Sequence, residues 1–223
     1  MFPERFGAVG LKNATLSIGQ IEQGEMRVEK VEIANLSRKS VEVSFSKVTP
    51  GAQFSVSPSV IPPQGKATLT YSVDTKNTGE KLWGNNTFGA DVVIDGKSTG
   101  KRVEIEGLIK ENFSGYSQEQ KRTGPLPQFV SSSASIGDCN GKEIKKVKFT
   151  FTNVGKGEFR IYKMDSSEKG CSFSYPEVTA GGKKGEIEVK VDTSKGSGDM
   201  LYIISVITNS PTRPIINLFI TGN

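Results

Sequence analysis

The side chains of this 223-residue chain whose types can carry chemistry are few. Asp74 and Asp192 are each followed by a threonine, Cys139 and Cys171 are the two cysteines, and Trp83 stands near Phe88 in a long polar stretch. Two carboxylates flanking a cleft would suit glycoside hydrolysis. Two thiols would suit a structural disulfide, and loop aromatics a contact for a sugar or a protein surface. Around them the chemistry thins. The chain has no histidine, which removes Ser-His and Cys-His nucleophile activation, the imidazole general base and the commonest zinc-ligand sets. Gly79, Gly84, Gly181, Gly182 and Gly185 sit in β-turn contexts instead of opening a helix, so no phosphate loop or dinucleotide fingerprint is read. We expect no catalytic residue, no metal and no cofactor.

The elements that must position these side chains are organised around Lys145–Gly155. There Val147, Phe149 and Phe151 alternate with polar residues before an Asn-x-Gly turn, the period-2 pattern of a strand with one face on a core. The same design appears at Val31–Ser37. Asn153 minus Asn35, Asp192 minus Asp74 and Pro176 minus Pro58 each give 118, so the chain is a tandem repeat. Short alternating segments separated by turn residues, such as Asp95-Gly96 and Pro62-Pro63-Gln64-Gly65, with no amphipathic helix pattern, predict an all-β fold. The expectation is two tandem Ig-like β-sandwich domains joined by a short Pro-containing linker. Residues 1–112 form repeat 1, 113–127 the linker and 128–223 repeat 2. Residues 76–90 read as the irregular part of the first repeat. In the linker, Ser117-Gln118-Glu119-Gln120 matches a capping box and predicts a short helix. Gly124-Pro125-Leu126-Pro127 then predicts a semi-rigid hinge.

Net charge is +5, with the basic surplus mild and dispersed. Lys146 and Lys148 alternate with apolar residues and read as the wet face of a strand, so nucleic acid is not an expected partner. No apolar run approaches the roughly 18–20 residues of a membrane helix. Met1-Phe2-Pro3-Glu4-Arg5 lacks the apolar segment of a signal peptide.

Ile-Gly at 18–19 and 136–137, a strand ending in Asn, a Pro- or Gly-marked turn, a strand ending Val-Asp-Thr and the late Thr208-Asn209-Ser210-Pro211 turn together resemble a bacterial family, domain of unknown function 1573. Its members are Ig-like sandwiches similar to the ASH and major-sperm-protein domains. The resemblance extends over nearly the whole chain. It implies an exported, periplasmic or envelope-associated protein, with an earlier repeat and a signal sequence upstream of Met1; the alternative is a cytoplasmic location. Family members commonly carry Cys-Gly-Cys after the third strand. Here the stretch is Lys169-Gly170-Cys171, so only the second cysteine is kept.

The candidates divide as follows. Asp74 and Asp192 hold equivalent places in separate repeats, which favours strand-ending turns over a catalytic pair. Cys139 and Cys171 are candidates for a structural disulfide, since the chain goes up one strand and down the next between them; the other reading is two small buried apolar residues, because Cys139 falls where the first repeat has Ile21. Trp83 and Phe88 are contact candidates, or aromatics folded back on their own sandwich. The functional expectation is a non-enzymatic structural or protein-interaction module of the bacterial envelope, with an unidentified protein partner. A carbohydrate-binding accessory domain using the loop aromatics on a glycan is the alternative.

Overall fold

The computed structural model describes residues 2–139, 143–195 and 199–223. It divides into two units, Met1–Ile109 and Lys110–Asn223. The first holds β1 (Glu4–Phe6), β2 (Val9–Leu11), β3 (Thr15–Glu22), β4 (Met26–Asn35), β5 (Val41–Ser46), β6 (Ala52–Ser57), β7 (Val60–Ile61), β8 (Lys66–Asp74), β9 (Gly84–Ile94) and β10 (Lys97–Lys110). Two sheets result, ordered β1-β2-β4-β8-β6 and β3-β10-β9-β5-β7. They enclose a core that includes Ile18, Ile33, Leu69, Phe88 and Ile105.

The second unit opens with α1 (Gln118–Thr123), then β11 (Pro127–Phe129), β12 (Ser133–Gly137), β13 (Ile144–Asn153), β14 (Phe159–Ser166), β15 (Cys171–Ser174), β16 (Val178–Thr179), β17 (Lys184–Asp192), β18 (Met200–Thr208) and β19 (Ile215–Gly222). Its sheets are ordered β11-β13-β17-β15 and β12-β19-β18-β14-β16. Phe149, Phe151, Phe159, Ile187 and Tyr202 fill the core between them. The fold is all-β, with each unit a two-sheet sandwich.

Local chemistry explains the elements. In β13 the burial alternates, with Val147, Phe149, Phe151 and Asn153 inside, while Lys148 reaches Glu186 on the wet face at 2.7 Å. Ser117 caps α1: its Oγ accepts from Gln120 N, and Gln120 Oε1 accepts from Ser117 N. The Asp95-Gly96 turn takes two positive φ values, 49° and 73°, as a two-residue hairpin between right-twisted strands requires.

Two expectations are corrected. The irregular stretch ends earlier than residue 90, because β9 begins at Gly84 and pairs with β10 from Gly84↔Ile109 onward. Asn85, Asn86 and Thr87 have turn chemistry, yet Asn85 and Thr87 lie on the exposed side of a ladder. Nor does the Gly124–Pro127 segment stand apart as a hinge. Pro127 pairs with Asn153, Ser210 Oγ donates to Pro125 O at 2.7 Å, and a Cβ on Gly155 would collide with the Gly124 carbonyl and the Leu126 amide. That stretch is built into the second unit.

Both units turn on a buried asparagine at the end of β4 or β13. Asn35 Nδ2 donates to the carbonyls of Lys39, Ile61 and Pro62, and its Oδ1 accepts from Ser37 N. Asn153 Nδ2 donates to Gly157 O and Thr179 O, and its Oδ1 accepts from Gly155 N and Leu126 N. Each amide satisfies main-chain groups of a turn and of the neighbouring sheet, the pairing that buried polar groups require.

Candidate functional site

The Asp-Thr pairs are strand ends. Asp74 accepts from Lys76 N and Asn77 Nδ2 at 2.9 and 2.7 Å. Asp192 accepts from Ser194 N and Oγ at 3.0 and 2.6 Å. The threonines beside them clip a second chain segment: Glu25 N donates to Thr75 Oγ1 at 3.0 Å, and Glu143 N to Thr193 Oγ1 at 2.9 Å. Both carboxylates are thus occupied in turns.

Phe88 is 1% exposed and belongs to the first core, so as a contact candidate it is corrected: it pairs with Ile105 in the β9–β10 ladder and has no face to offer. Trp83 is half-buried just before β9, with Lys81 Nζ 4.7 Å from its ring centroid. Cys139 and Cys171 are free thiols in the structure, buried and half-buried, and both join the second core. Cys139 Sγ fills the space above Gly222. Burial holds the Cys171 thiol above its ordinary pKa, against a lowering bond from Ser166 and with Glu168 adding to the rise; this disfavours a reactive thiolate. Among the described residues, no three His, Cys, Asp or Glu side chains are grouped to hold a metal.

The site that the side chains do build lies where β16 leaves β14. An open groove of about 280 Å³ is lined there by Arg160, Ile161, Tyr162, Tyr175 and Glu177. Tyr162 Oη donates to Glu111 Oε2 at 2.7 Å. Phe113 stacks edge-on against the exposed Tyr116 in the same lead-in segment, at 5.1 Å.

Comparing the units shows how Tyr162 gets there. β16 meets β14 at Phe159↔Thr179 and Arg160↔Val178, as β7 meets β5 at Val41↔Ile61 and Glu42↔Val60, again 118 residues apart. In the first unit Val43 and Ser44 then face Ile94 and Val93 in step. In the second, Ile161 faces Thr208 and Lys163 faces Ile207. Tyr162 is therefore an added residue, a β-bulge with no counterpart in the first unit. A bulge bends its strand and re-aims the side chain it carries. From there the offset becomes 119: Cys171 and Phe173 face Val191 and Val189, as Ala52 and Phe54 face Val73 and Tyr71. Tyr175, two residues on, falls where the first unit has Val56.

Burial, then the hydrogen bond and charge of Glu111, push the Tyr162 hydroxyl well above the usual tyrosine range, while Arg160 opposes. Tyr175 is raised by burial and by Glu177 and Asp165. Both rings stay neutral at physiological pH, with hydroxyls able to hydrogen-bond. Two flat amphipathic rings lie beside an arginine and a carboxylate in this groove.

Comparison with known proteins places the second unit. Residues 127–223 match the family described as Protein of unknown function (DUF1573). The resemblance read from the asparagine turn and the Val-Asp-Thr strand end is to this family, and the match falls on the unit that holds the tyrosine groove. A protein of unknown function from Porphyromonas gingivalis W83 superposes with a TM-score of 0.73 at 16% identity, covering 97% of this chain and 100% of its own. That likeness shows the fold. The ASH/PapD-like domain 7 of human CEP192 is similar at a TM-score of 0.35 and 11% identity, over 44% of this chain and 83% of its own. The CupB2 chaperone of Pseudomonas aeruginosa is similar at 0.28 and 12%, over 93% and 98%. Scores that low carry no argument about this chain. No curated protein matches it. No helix among the described residues is long and apolar enough to cross a membrane.

Sequence reading missed the groove because Tyr162 and Tyr175 each look like ordinary strand aromatics. The available sign was the count between repeat anchors, which rises by one after Ile161 and returns to 118 at Pro176.

Proposed function

We propose that the chain is a non-enzymatic protein-interaction module of the bacterial envelope, and that its second unit recognises a partner through the groove around Tyr162 and Tyr175. The inserted Tyr162 carries this reading. The first unit builds the same strand crossing without that residue, so the sandwich does not need it, and bulges gather where a side chain must be re-aimed for use. The open outer side of β14 adds to it, because exposed sheet edges accept extended segments. The envelope location rests on the resemblance to the bacterial family.

A displayed library of random dodecapeptides, panned on the full chain beside a glycan array, tests the reading. Enriched peptides should lose about tenfold or more in affinity, the loss expected when anchor aromatics are truncated, on the Tyr162→Ser, Tyr175→Val double variant. That variant should keep its fold, since valine at 175 still covers the core edge as Val56 does in the first unit, and Tyr162 is an added residue outside that core. Failure to enrich any peptide, or binding that the variant leaves unchanged, overturns the proposal. A glycan signal lost in the variant would move the site to the carbohydrate alternative.

A further inference from the structure

Resting on that reading of the groove, we infer that its occupant is an extended, basic segment that adds to the outer side of β14 as a strand. Two independent observations support this, one from the main chain and one from charge.

The main chain comes first. Ile161 N–H donates outward to Glu177 O at 3.2 Å, the last bond joining β14 to the segment that carries β16. Beyond it, among the described residues, β14 has only β18 beside it. Ser167 N–H bonds to Ile203 O at 2.9 Å, which sets the phase of the ladder past the bulge. In an antiparallel pair the hydrogen-bonded residues alternate, so the main-chain groups of Met164 and Ser166 point away from β18. A short run of strand edge therefore opens immediately beside the tyrosines. An extended peptide pairing there would lay alternate side chains across the rings, which is how strand addition combines main-chain affinity with side-chain selectivity.

Charge then selects the occupant. The chain as a whole is basic, at +5, and the groove's own lining is balanced, Arg160 against Glu177, but further carboxylates stand around it. Glu111, Glu158, Asp165 and Glu177 surround it, against Arg160 and Lys163. Glu158 already holds Arg160 at 2.8 Å, and Asp165 holds Lys163 at 3.2 Å. Once those two pairs are set aside, Glu111 and Glu177 leave a negative balance over the tyrosine rings. Lysine or arginine on alternate positions of an incoming strand would meet that balance, and an acidic strand would meet repulsion. Complementary charge of this sort governs partner choice and encounter rate more than final affinity.

The probes are acetylated, amidated peptides of alternating Lys-Val-Lys-Thr-Lys-Val-Lys, the same peptide with Glu at each Lys, and the Lys peptide with alternate amides N-methylated. Binding to the full chain is read by fluorescence anisotropy at roughly 50 and 300 mM salt, a range over which exposed charges become screened. The Lys peptide should bind, weaken severalfold in the higher salt and lose about fivefold on Glu177→Lys, the scale of an exposed charge contact. The Glu peptide should bind about tenfold more weakly, and the N-methylated one should lose binding because it cannot complete the ladder. Equal binding of the Lys and Glu peptides overturns the basic occupant. Equal binding of the N-methylated peptide overturns strand addition. In both cases sensitivity to Tyr162→Ser, Tyr175→Val shows that the groove reading itself stands, whereas insensitivity removes the two together.

Discussion

The first and second units share a buried asparagine clasp and a threonine clip, and along β5 and β14 they part at an added tyrosine. Where the first unit carries Val43-Ser44 in step with its neighbour, the second carries Ile161-Tyr162-Lys163. Where the first places Val56, the second places Tyr175. What the copies share holds the sandwich up: the buried amides, the Asp-Thr strand ends and the phenylalanine and isoleucine ladders. Of the residues only one copy has, Tyr162 is the added one, while Tyr175 still packs against the second core. On the reading proposed above, the pair separates architecture from recognition without reference to any other protein.

The comparison breaks most severely if the shared residues are not equivalent. Asn153→Ala should destabilise the second unit by roughly 3–5 kcal/mol, because several buried main-chain groups lose their partner at about 1–3 kcal/mol each. Asn35→Ala should do the same to the first. Amide hydrogen exchange in each unit's strands measures both, and a loss confined to one asparagine would end the claim that the two clasps are the same device.

Next in size is the cysteine pair. The first unit fills the matching places with Ile21 and Ala52, both buried, and Cys139→Ile with Cys171→Ala should cost about 1–3 kcal/mol, because Cys139 Sγ already fills the space above Gly222. Oxidised glutathione is expected to join Cys139 to Cys171 while being reduced to two glutathione thiols. Closing that loop should add roughly 3 kcal/mol in the chain-entropy model. Two titratable thiols persisting after oxidation would reject the bridge.

A pH effect follows from the groove. Unfolded tyrosine loses its proton near pH ~10, while folded Tyr162 keeps it to higher pH because of burial and Glu111. The stability it contributes is therefore whole below about pH 10 and is lost as pH rises through the folded value. Glu111→Gln removes the carboxylate's share and should move one tyrosine's absorbance titration to lower pH. Tyr71 of the first unit, raised by burial and then Glu29, should not move. An unchanged titration would mean that Glu111 does not govern Tyr162.

The smallest expected change is in stability when Tyr162 is deleted or replaced by serine: under about 1 kcal/mol, as for a residue outside the core. A loss beyond about 2 kcal/mol would make Tyr162 part of the architecture and undo the separation.

Much of the architecture was legible because alternation and turn residues are local signals. Val147, Phe149 and Phe151 announce a strand face, and Asp95-Gly96 announces a hairpin. The start of β9 was not legible, since Asn85-Asn86 has the composition of a turn and only its ladder with β10 overrides that. Phe88 looked like a loop aromatic for the same reason. The groove was hidden more deeply. A bulge changes register by one residue without changing composition, so nothing in the residues around Tyr162 marks it; only laying one repeat over the other does. The hinge reading failed because prolines signal stiffness locally, while the bonds that anchor Pro125 and Leu126 come from Ser210 and Asn153, far along the chain.

Those anchors bear on where the second unit can be cut. A fragment begun at the family boundary, Pro127, would strip the Leu126 amide from Asn153 and the Pro125 carbonyl from Ser210. It would also discard the Glu111 partner of Tyr162. The piece to express for peptide work starts at Lys110, where the second unit starts, and a shorter fragment would misreport both its own robustness and the ligand it holds.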